Sequence, residues 1–270
     1  MSPAAGPNAI TFRDVTRSFV RGDGQTVVAV DRFSAHIAEG EFVCLVGPSG
    51  CGKTTILQMV SGLLPTSGGS ISVGEAPVTG PGPDRGVVFQ KDSVFPWFRV
   101  IDNVEYGMKR RGVAATERRA VADRYLDLVG LTHVARAWPK ELSGGMLKRV
   151  AIATVFANGS EVLLLDEPFA ALDYVTKRQL HDVLLDLWRE TSAAGRRTVV
   201  FVTHDVDEAL LLADRIIVIK NGRLVDDLAI RADRPRGADS LTAADMMAAK
   251  HTLLAHLGLE RQAARPRASA

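Results

Sequence analysis

Phe42-Val-Cys-Leu-Val46-Gly47-Pro48-Ser49-Gly50-Cys51-Gly52-Lys53-Thr54-Thr55 runs from a short apolar segment, through a glycine-rich turn, into a helical pattern that continues to Gly62. Residues 47–54 satisfy GxxxxGK(S/T), and the flanking strand and helix are the context in which that motif carries meaning. The glycines permit positive φ, so backbone N–H groups can turn inward onto phosphate oxygens. Lys53 supplies a cation to the β- and γ-phosphates, the Thr54 hydroxyl can ligate Mg²⁺, and the helix N-terminus adds its dipole. The stretch predicts an α/β fold of the P-loop type that binds a nucleoside triphosphate.

Upstream of it the chain reads as antiparallel strands. Ile10 to Val15 alternates, Arg21-Gly22-Asp23-Gly24 is a hairpin-type turn, and Val27 to Ile37 resumes the extended pattern. Downstream, Pro65 to Gly86 is rich in Gly and Pro around one short strand, Ser70 to Val73, and Val87 to Phe89 reads as a core strand. From about Ser93 the pattern turns helical. Glu117 to Val129 places Val121, Tyr125, Leu128 and Val129 on one face, and Lys148 to Phe156 is a second helix. Glu161 to Leu165 and Thr198 to Val202 are nearly unbroken apolar strands, as parallel strands covered on both faces should be. Helices over Val175 to Glu190 and Val206 to Ala213, then a hairpin from Ile216 to Leu228, complete the core. The predicted domain is therefore residues 1–230, with a helical subdomain inserted at about 93–158. Residues 231–270 form a C-terminal linker and an amphipathic helical tail with Met246, Met247, Leu253, Leu254 and Leu257 inward.

Two further motifs bear chemistry. Val162-Leu-Leu-Leu-Asp166-Glu167 is an apolar strand ending in adjacent carboxylates. Downstream of a P-loop, the first suits a water-bridged Mg²⁺ and the second a general base for the attacking water. Leu142-Ser143-Gly144-Gly145-Met146 precedes the Lys148 helix and offers a hydroxyl and free N–H groups, a second anion-binding helix end.

The bulk properties agree with a globular protein. The 270 residues are 46% hydrophobic and 24% charged, which excludes a disordered or collagenous chain. The net charge is +2, and residues 231–270 hold seven basic and four acidic side chains, so the remainder sums to −1. That argues against nucleic acid as a partner. Cys44 and Cys51 match neither a metal-ligand pair nor a disulfide framework and fit a reducing cytosolic compartment. No signal peptide is legible at the N-terminus, and no apolar stretch approaches the roughly 18 residues of a membrane helix. Work at a membrane would require docking onto another chain.

Taken together, these motifs resemble the nucleotide-binding subunit of an ABC transporter, over residues 9–230. Leu142 to Met146 is similar to the family signature LSGGQ, with Met146 at the Gln position. Gln90 matches the Q-loop glutamine, which in the family ligates Mg²⁺ and senses the transmembrane partner. Ala171-Leu172-Asp173 matches the D-loop, His204 the switch histidine that contacts the γ-phosphate, and Phe19 the aromatic that stacks on adenine. The resemblance implies a RecA-like core and a head-to-tail homodimer sandwiching ATP and Mg²⁺. The P-loop of one chain would face Ser143, Gly144, Gly145, Met146 and Asp173 of the other. Glu167, His204 and Lys53 would be catalytic, residues 47–55 with Phe19 and Gln90 would bind ATP, and Thr54, Gln90 and Asp166 would hold the metal.

Phe95-Pro96-Trp97, followed by Ile101-Asp102-Asn103-Val104, resembles the "LPW…DNV" run of importer ATPases for nitrate, sulfonate, taurine and related nutrients, as does the tail around Arg234-Pro-Arg. The implied partners are a transmembrane permease, whose short cytoplasmic helix would cover Phe95 to Trp97, and indirectly a solute-binding protein. The implied location is peripheral, on the cytoplasmic face of the membrane. The alternative for Trp97 is a place inside the helical subdomain. An exporter ATPase is the nearest rival reading. A soluble ABC protein acting on DNA or ribosomes would normally carry two cassettes or long inserts, and a silent scaffold would have lost Lys53, Glu167 or His204. The chain departs from the pattern at Leu147, Lys148 and Thr154, on the helix after the signature.

Overall fold

A computed structural model describes residues 6, 9–90, 94–170, 172–190 and 196–259. Two sheets carry the fold. The first is antiparallel and four-stranded, built from β1 (Ile10–Val20), β2 (Thr26–Ile37), β4 (Gly68–Val73) and β5 (Ala76–Pro77), in the order β2-β1-β4-β5. Its β1–β2 hairpin closes at the predicted turn, where Gly24 takes φ +83° and donates to the Arg21 carbonyl at 2.9 Å.

The second sheet holds β3 (Phe42–Val46), β6 (Arg85–Val88), β7 (Val162–Asp166), β8 (Thr198–Thr203), β9 (Arg215–Lys220) and β10 (Arg223–Ala229). Its order is β10-β9-β3-β8-β7-β6; all pairs are parallel except the β9–β10 hairpin at one edge. Both faces of this sheet are buried, which is why its strands read as unbroken apolar runs. Val43, Leu45, Leu164, Val200, Val202, Ile217 and Ile219 face α1 (Lys53–Val60) and the antiparallel sheet, where Phe12 and Phe33 pack edge to face. Cys44, Leu163, Leu165, Val199, Phe201 and Ile216 face the helices on the other side.

Those helices are α2 (Val100–Arg110), α3 (Ala115–Leu128), α4 (Gly144–Ala157), α5 (Tyr174–Arg189), α6 (Val206–Leu212) and α7 (Ala244–Leu257). The first three fall between residues 100 and 157; Ser93, where a helical pattern was expected to begin, lies outside the described residues. Four sequence expectations shift. On α3 the buried stripe is Ala122, Tyr125, Leu126 and Val129, while Leu128 is exposed, because the stripe follows i, i+3, i+4 and i+7 from Ala122 and Leu128 falls off its flank. The signature helix begins at Gly144, one turn before Lys148, with Ser143 as its N-cap. The strand at Val87 ends at Val88, and Phe89 is already outside the sheet and exposed. On α7, Met246 and Leu253 are buried and Leu254 and Leu257 are partly buried against the core. Met247 is exposed, about 100° round the helix from Met246.

The polar stretch after residue 230 lies against the core. Arg236 donates to the carbonyls of Ile230 and Leu210, both at 3.1 Å, and of Ala232 and Ala213. Arg234 donates to the Leu212 carbonyl and pairs with Asp214 at 2.9 Å. Leu210, Leu212 and Ala213 are the last carbonyls of α6, groups that a helix leaves without internal partners. Burial pushes the Arg234 guanidinium down to about 10, partly offset by Asp214. Among the described residues no helix is long and apolar enough to cross a membrane.

Candidate nucleotide site

The carboxyl ends of β3, β6, β7 and β8 open on one side of the sheet, and each passes directly into a predicted functional segment. Parallel pairing puts them in register: Val46 opposite Thr203, and Asp166 opposite Val202. A crevice beyond strand carboxyl ends is where open α/β sheets bind ligands.

After β3 the chain turns through the P-loop. Gly50 (φ +77°) and Gly52 (φ +106°) take left-handed conformations that L side chains rarely adopt. Gly47 is required for a different reason: a Cβ there would stand 2.2 Å from the Ile219 carbonyl oxygen. Pro48, Ser49 and Gly50 are exposed, Thr55 is half-buried, and Cys51 packs as a buried free thiol. Lys53 is only 5% exposed; its ammonium curls into the loop, donating to the carbonyls of Gly47 at 2.7 Å and Pro48 at 3.1 Å. The loop thus encloses a cation at the mouth of a helix, a cradle suited to phosphate.

After β7 come Asp166 and Glu167. The Thr54 hydroxyl donates to Asp166 Oδ1 at 3.0 Å, across 112 residues of sequence. Burial raises the Asp166 carboxyl above its usual range; the Thr54 hydroxyl and Lys53 offset this only in part, and Glu167 adds to it. Glu167 sits at φ +43°, unusual for a non-glycine residue, held by its N–H to the Val202 carbonyl at 3.0 Å. Its Oε2 receives Gln90 Nε2 at 3.2 Å and lies 3.2 Å from His204 Nδ1. Gln90, Glu167 and His204, widely separated in the chain, meet on one carboxylate oxygen. Thr54, Asp166 and the Gln90 amide offer oxygen donors, the class a hard Mg²⁺ prefers.

The remaining predicted residues lie on other elements. Ser143 Oγ accepts from Met146 N at 3.3 Å, Gly144 is exposed, and Gly145 is buried where a Cβ would meet Thr176 Cγ2 at 2.6 Å. Asp173 is exposed and caps α5, accepting from Thr176 N at 3.0 Å; Ala171 of the same motif lies outside the described residues. Phe19 is 39% exposed on β1 with the Arg17 guanidinium 4.7 Å over its ring.

Sequence reasoning missed two features. Lys148 donates to the Phe89 carbonyl at 3.1 Å and the Gln90 carbonyl at 2.5 Å, tying the signature helix to the Gln90 backbone. A charged cluster of Lys177, His181, Asp205 and Glu208 flanks His204. Only the departure at Lys148 signalled the first; the second joins segments some 28 residues apart and left no local pattern.

Trp97 is 65% exposed, so it is not a core residue of the helical region. Its ring stacks at 5.5 Å on Phe95, which contacts Tyr106 at 4.9 Å. With Val94, Pro96, Pro139 and Leu147 they line an apolar groove beside Gln90.

The sequence pattern of the ABC transporter family matches residues 30–170. The nitrate import ATP-binding protein NrtD of Synechocystis sp. is 48% identical over 212 residues, covering 78% of each chain. The taurine import ATP-binding protein TauB of Rhizobium johnstonii is 48% identical over 204 residues, 75% of this chain and 76% of that one. Among solved structures, the dimeric post-hydrolysis state of the ATP-binding cassette MJ0796 bound to ADP and Pi superposes with TM-score 0.73 at 32% identity, covering 83% of this chain and all of that one.

Proposed function

Because the chain belongs to the ABC transporter family, as its ATP-binding cassette, we propose that it hydrolyses ATP to power uptake of a small solute of the nitrate, taurine or sulfonate kind through a separate permease. The observation that carries the hydrolytic step is the convergence of Gln90 and His204 on Glu167 Oε2, each at 3.2 Å, one residue beyond the Asp166–Thr54 pair. Import is supported by the relatives named for nitrate and taurine import.

In this reading the loop N–H groups and Lys53 grip the β- and γ-phosphates, and Thr54, Asp166 and Gln90 would hold Mg²⁺, which would supply neutralisation of phosphate charge. Glu167 takes a proton from the attacking water as the water oxygen bonds to the γ-phosphorus and the bond to the β-phosphate oxygen breaks, leaving ADP and phosphate. Gln90 and His204 keep that carboxylate aimed. Phe19 stacks on the adenine. Ser143, Gly144, Gly145, Met146 and Asp173 serve the site of a head-to-tail partner copy. The groove at Phe95 to Trp97 takes a cytoplasmic helix of the permease, and the subunit sits peripherally on that face of the membrane, meeting the solute-binding protein only through the permease.

Glu167→Gln tests the chemistry. The amide is nearly isosteric but cannot accept the proton, so ATP binding should persist, turnover should fall by at least about a hundredfold, and ATP should trap a dimer on size exclusion. Near wild-type hydrolysis would remove Glu167 from this role.

A further inference from the structure

His204 is exposed, and its ring reaches Glu167 from a loop only two residues long between β8 and α6. Both flanks of that loop are gripped. Asp205, immediately after His204, accepts from the N–H groups of Asp207 at 3.0 Å and Glu208 at 3.1 Å through Oδ1, and its own N–H donates to Thr203 Oγ1 at 3.0 Å. Thr203, immediately before His204, donates its hydroxyl to Glu208, which is buried. The remaining carboxylate oxygens turn to α5: Lys177 Nζ lies 2.9 Å from Asp205 Oδ2 and 3.7 Å from Glu208 Oε1, and His181 Nε2, one turn further on, lies 3.0 Å from Glu208 Oε1.

We propose that Lys177 is a positioning residue for His204, and that through Asp205 it couples the Asp173 end of α5 to the hydrolytic cluster around Glu167. The inference rests on the reading that His204 serves ATP hydrolysis. Lys177 stands one helical turn after the Asp173 cap, so a displacement of Asp173 is carried through about 6 Å of helix to the bond that holds Asp205. Burial alone would pull the Lys177 ammonium down, yet Asp205 and Glu208 together hold it above the usual lysine value. Burial alone would raise Asp205, yet Lys177 and the Glu208 N–H hold it below the usual carboxyl range. The pair is therefore charged on both sides, and a partly buried charged pair polarises its neighbours more strongly than an exposed one. Without Lys177, Asp205 Oδ2 would lose its cationic partner while Glu208 kept Thr203 and His181, and the loop would be held less tightly. A shift of about 1 Å in a group aimed at the reacting atoms costs up to roughly a hundredfold in rate.

Steady-state ATPase kinetics on the full chain test this with Lys177→Met, which keeps the length and apolar stem but removes the charge. The expected result is a kcat lower by roughly ten- to a hundredfold with the ATP KM within about twofold of wild type, and substantial recovery in Lys177→Arg, whose fork can still reach Asp205. Asp205→Asn retains Oδ1 for the helix cap and should show the same split between kcat and KM. Combined with Lys177→Met, it should be no slower than the worse single variant, because both break one bond. If Lys177→Met does not fold, Asp205→Asn carries the same measurement. A lowered melting temperature with unchanged kcat, multiplied effects in the double variant, or no recovery with arginine would overturn the proposal. His204→Ala separates the two levels. A loss there beside an unaffected Lys177→Met overturns the positioning role alone, whereas full activity in His204→Ala overturns the assignment of His204 and the inference with it.

Discussion

Replacing Trp97 by alanine separates a docking surface from a core. A tryptophan side chain offers at most about 250 Å² for burial. With Trp97 65% exposed, about 160 Å² remains for a partner, worth about 4 kcal/mol at ~25 cal/mol per Å². Ordering costs at an interface reduce what is realised, so Trp97→Ala should weaken assembly with the permease by about 2–4 kcal/mol, a roughly 30- to 1000-fold rise in Kd. The covered third of the ring contributes at most about 2 kcal/mol to the fold. Its removal opens no internal cavity, so the isolated subunit should melt no more than about 5 °C lower. ATP affinity should be unchanged, because Trp97 makes none of the contacts that hold the P-loop lysine. Titration of the cassette onto the permease in detergent or nanodiscs, with thermal melts of the subunit alone, reads both quantities. Unchanged assembly with a melting point lowered by more than about 10 °C would refute the reasoning and make Trp97 a folding residue.

Other consequences are equally direct. Lys53→Ala removes the cation enclosed by the P-loop and should abolish ATP binding, whereas Ser143→Ala should spare binding and impair the ATP-bound dimer. Mixed together, the two variants should regain activity, since one site of the heterodimer keeps both elements intact; activity no higher than that of either variant alone would count against sharing of sites. Leu253→Ala on α7 empties a fully buried position and should lower the urea-unfolding free energy of the whole chain by about 2–5 kcal/mol; a main transition that does not move would mean the tail folds apart from the cassette. Asp205 is held below the ordinary carboxyl range, against the raising effect of burial, by Lys177 and backbone N–H groups. Its stabilising contribution is thus present above the unfolded value of about 3.9 and lost as pH falls through the lower folded value. Asp205→Asn should flatten that acid limb in urea melts taken from about pH 6 to about pH 2; limbs of equal slope would show that Asp205 does not carry it.

Much of the molecule was legible in the sequence because its signals are local. The P-loop glycines declare themselves through a backbone conformation that few other residues tolerate. The apolar runs at Phe42, Val162 and Thr198 declare parallel strands, since only a sheet covered on both faces lacks alternation. Glu167 could be named from its place after such a strand downstream of a P-loop, and Gln90 and His204 from the resemblance to the ABC family. Their meeting on a single carboxylate oxygen could not, because it depends on strand order and register, which periodicity does not encode. The exposure of Trp97, Leu128 and Met247 was likewise settled only by which neighbours fill the facing volume; a helical stripe specifies a direction, and the opposing surface decides how wide the buried face is. The clearest case is the grip on His204. Lys177 and His181 on α5, Glu208 on α6 and its cap Asp205 are ordinary ionisable residues, and nothing in either segment marks them as partners. Their pairing follows from α5 and α6 both packing into the core on one face of the sheet, where low polarity forces each charge to find its opposite.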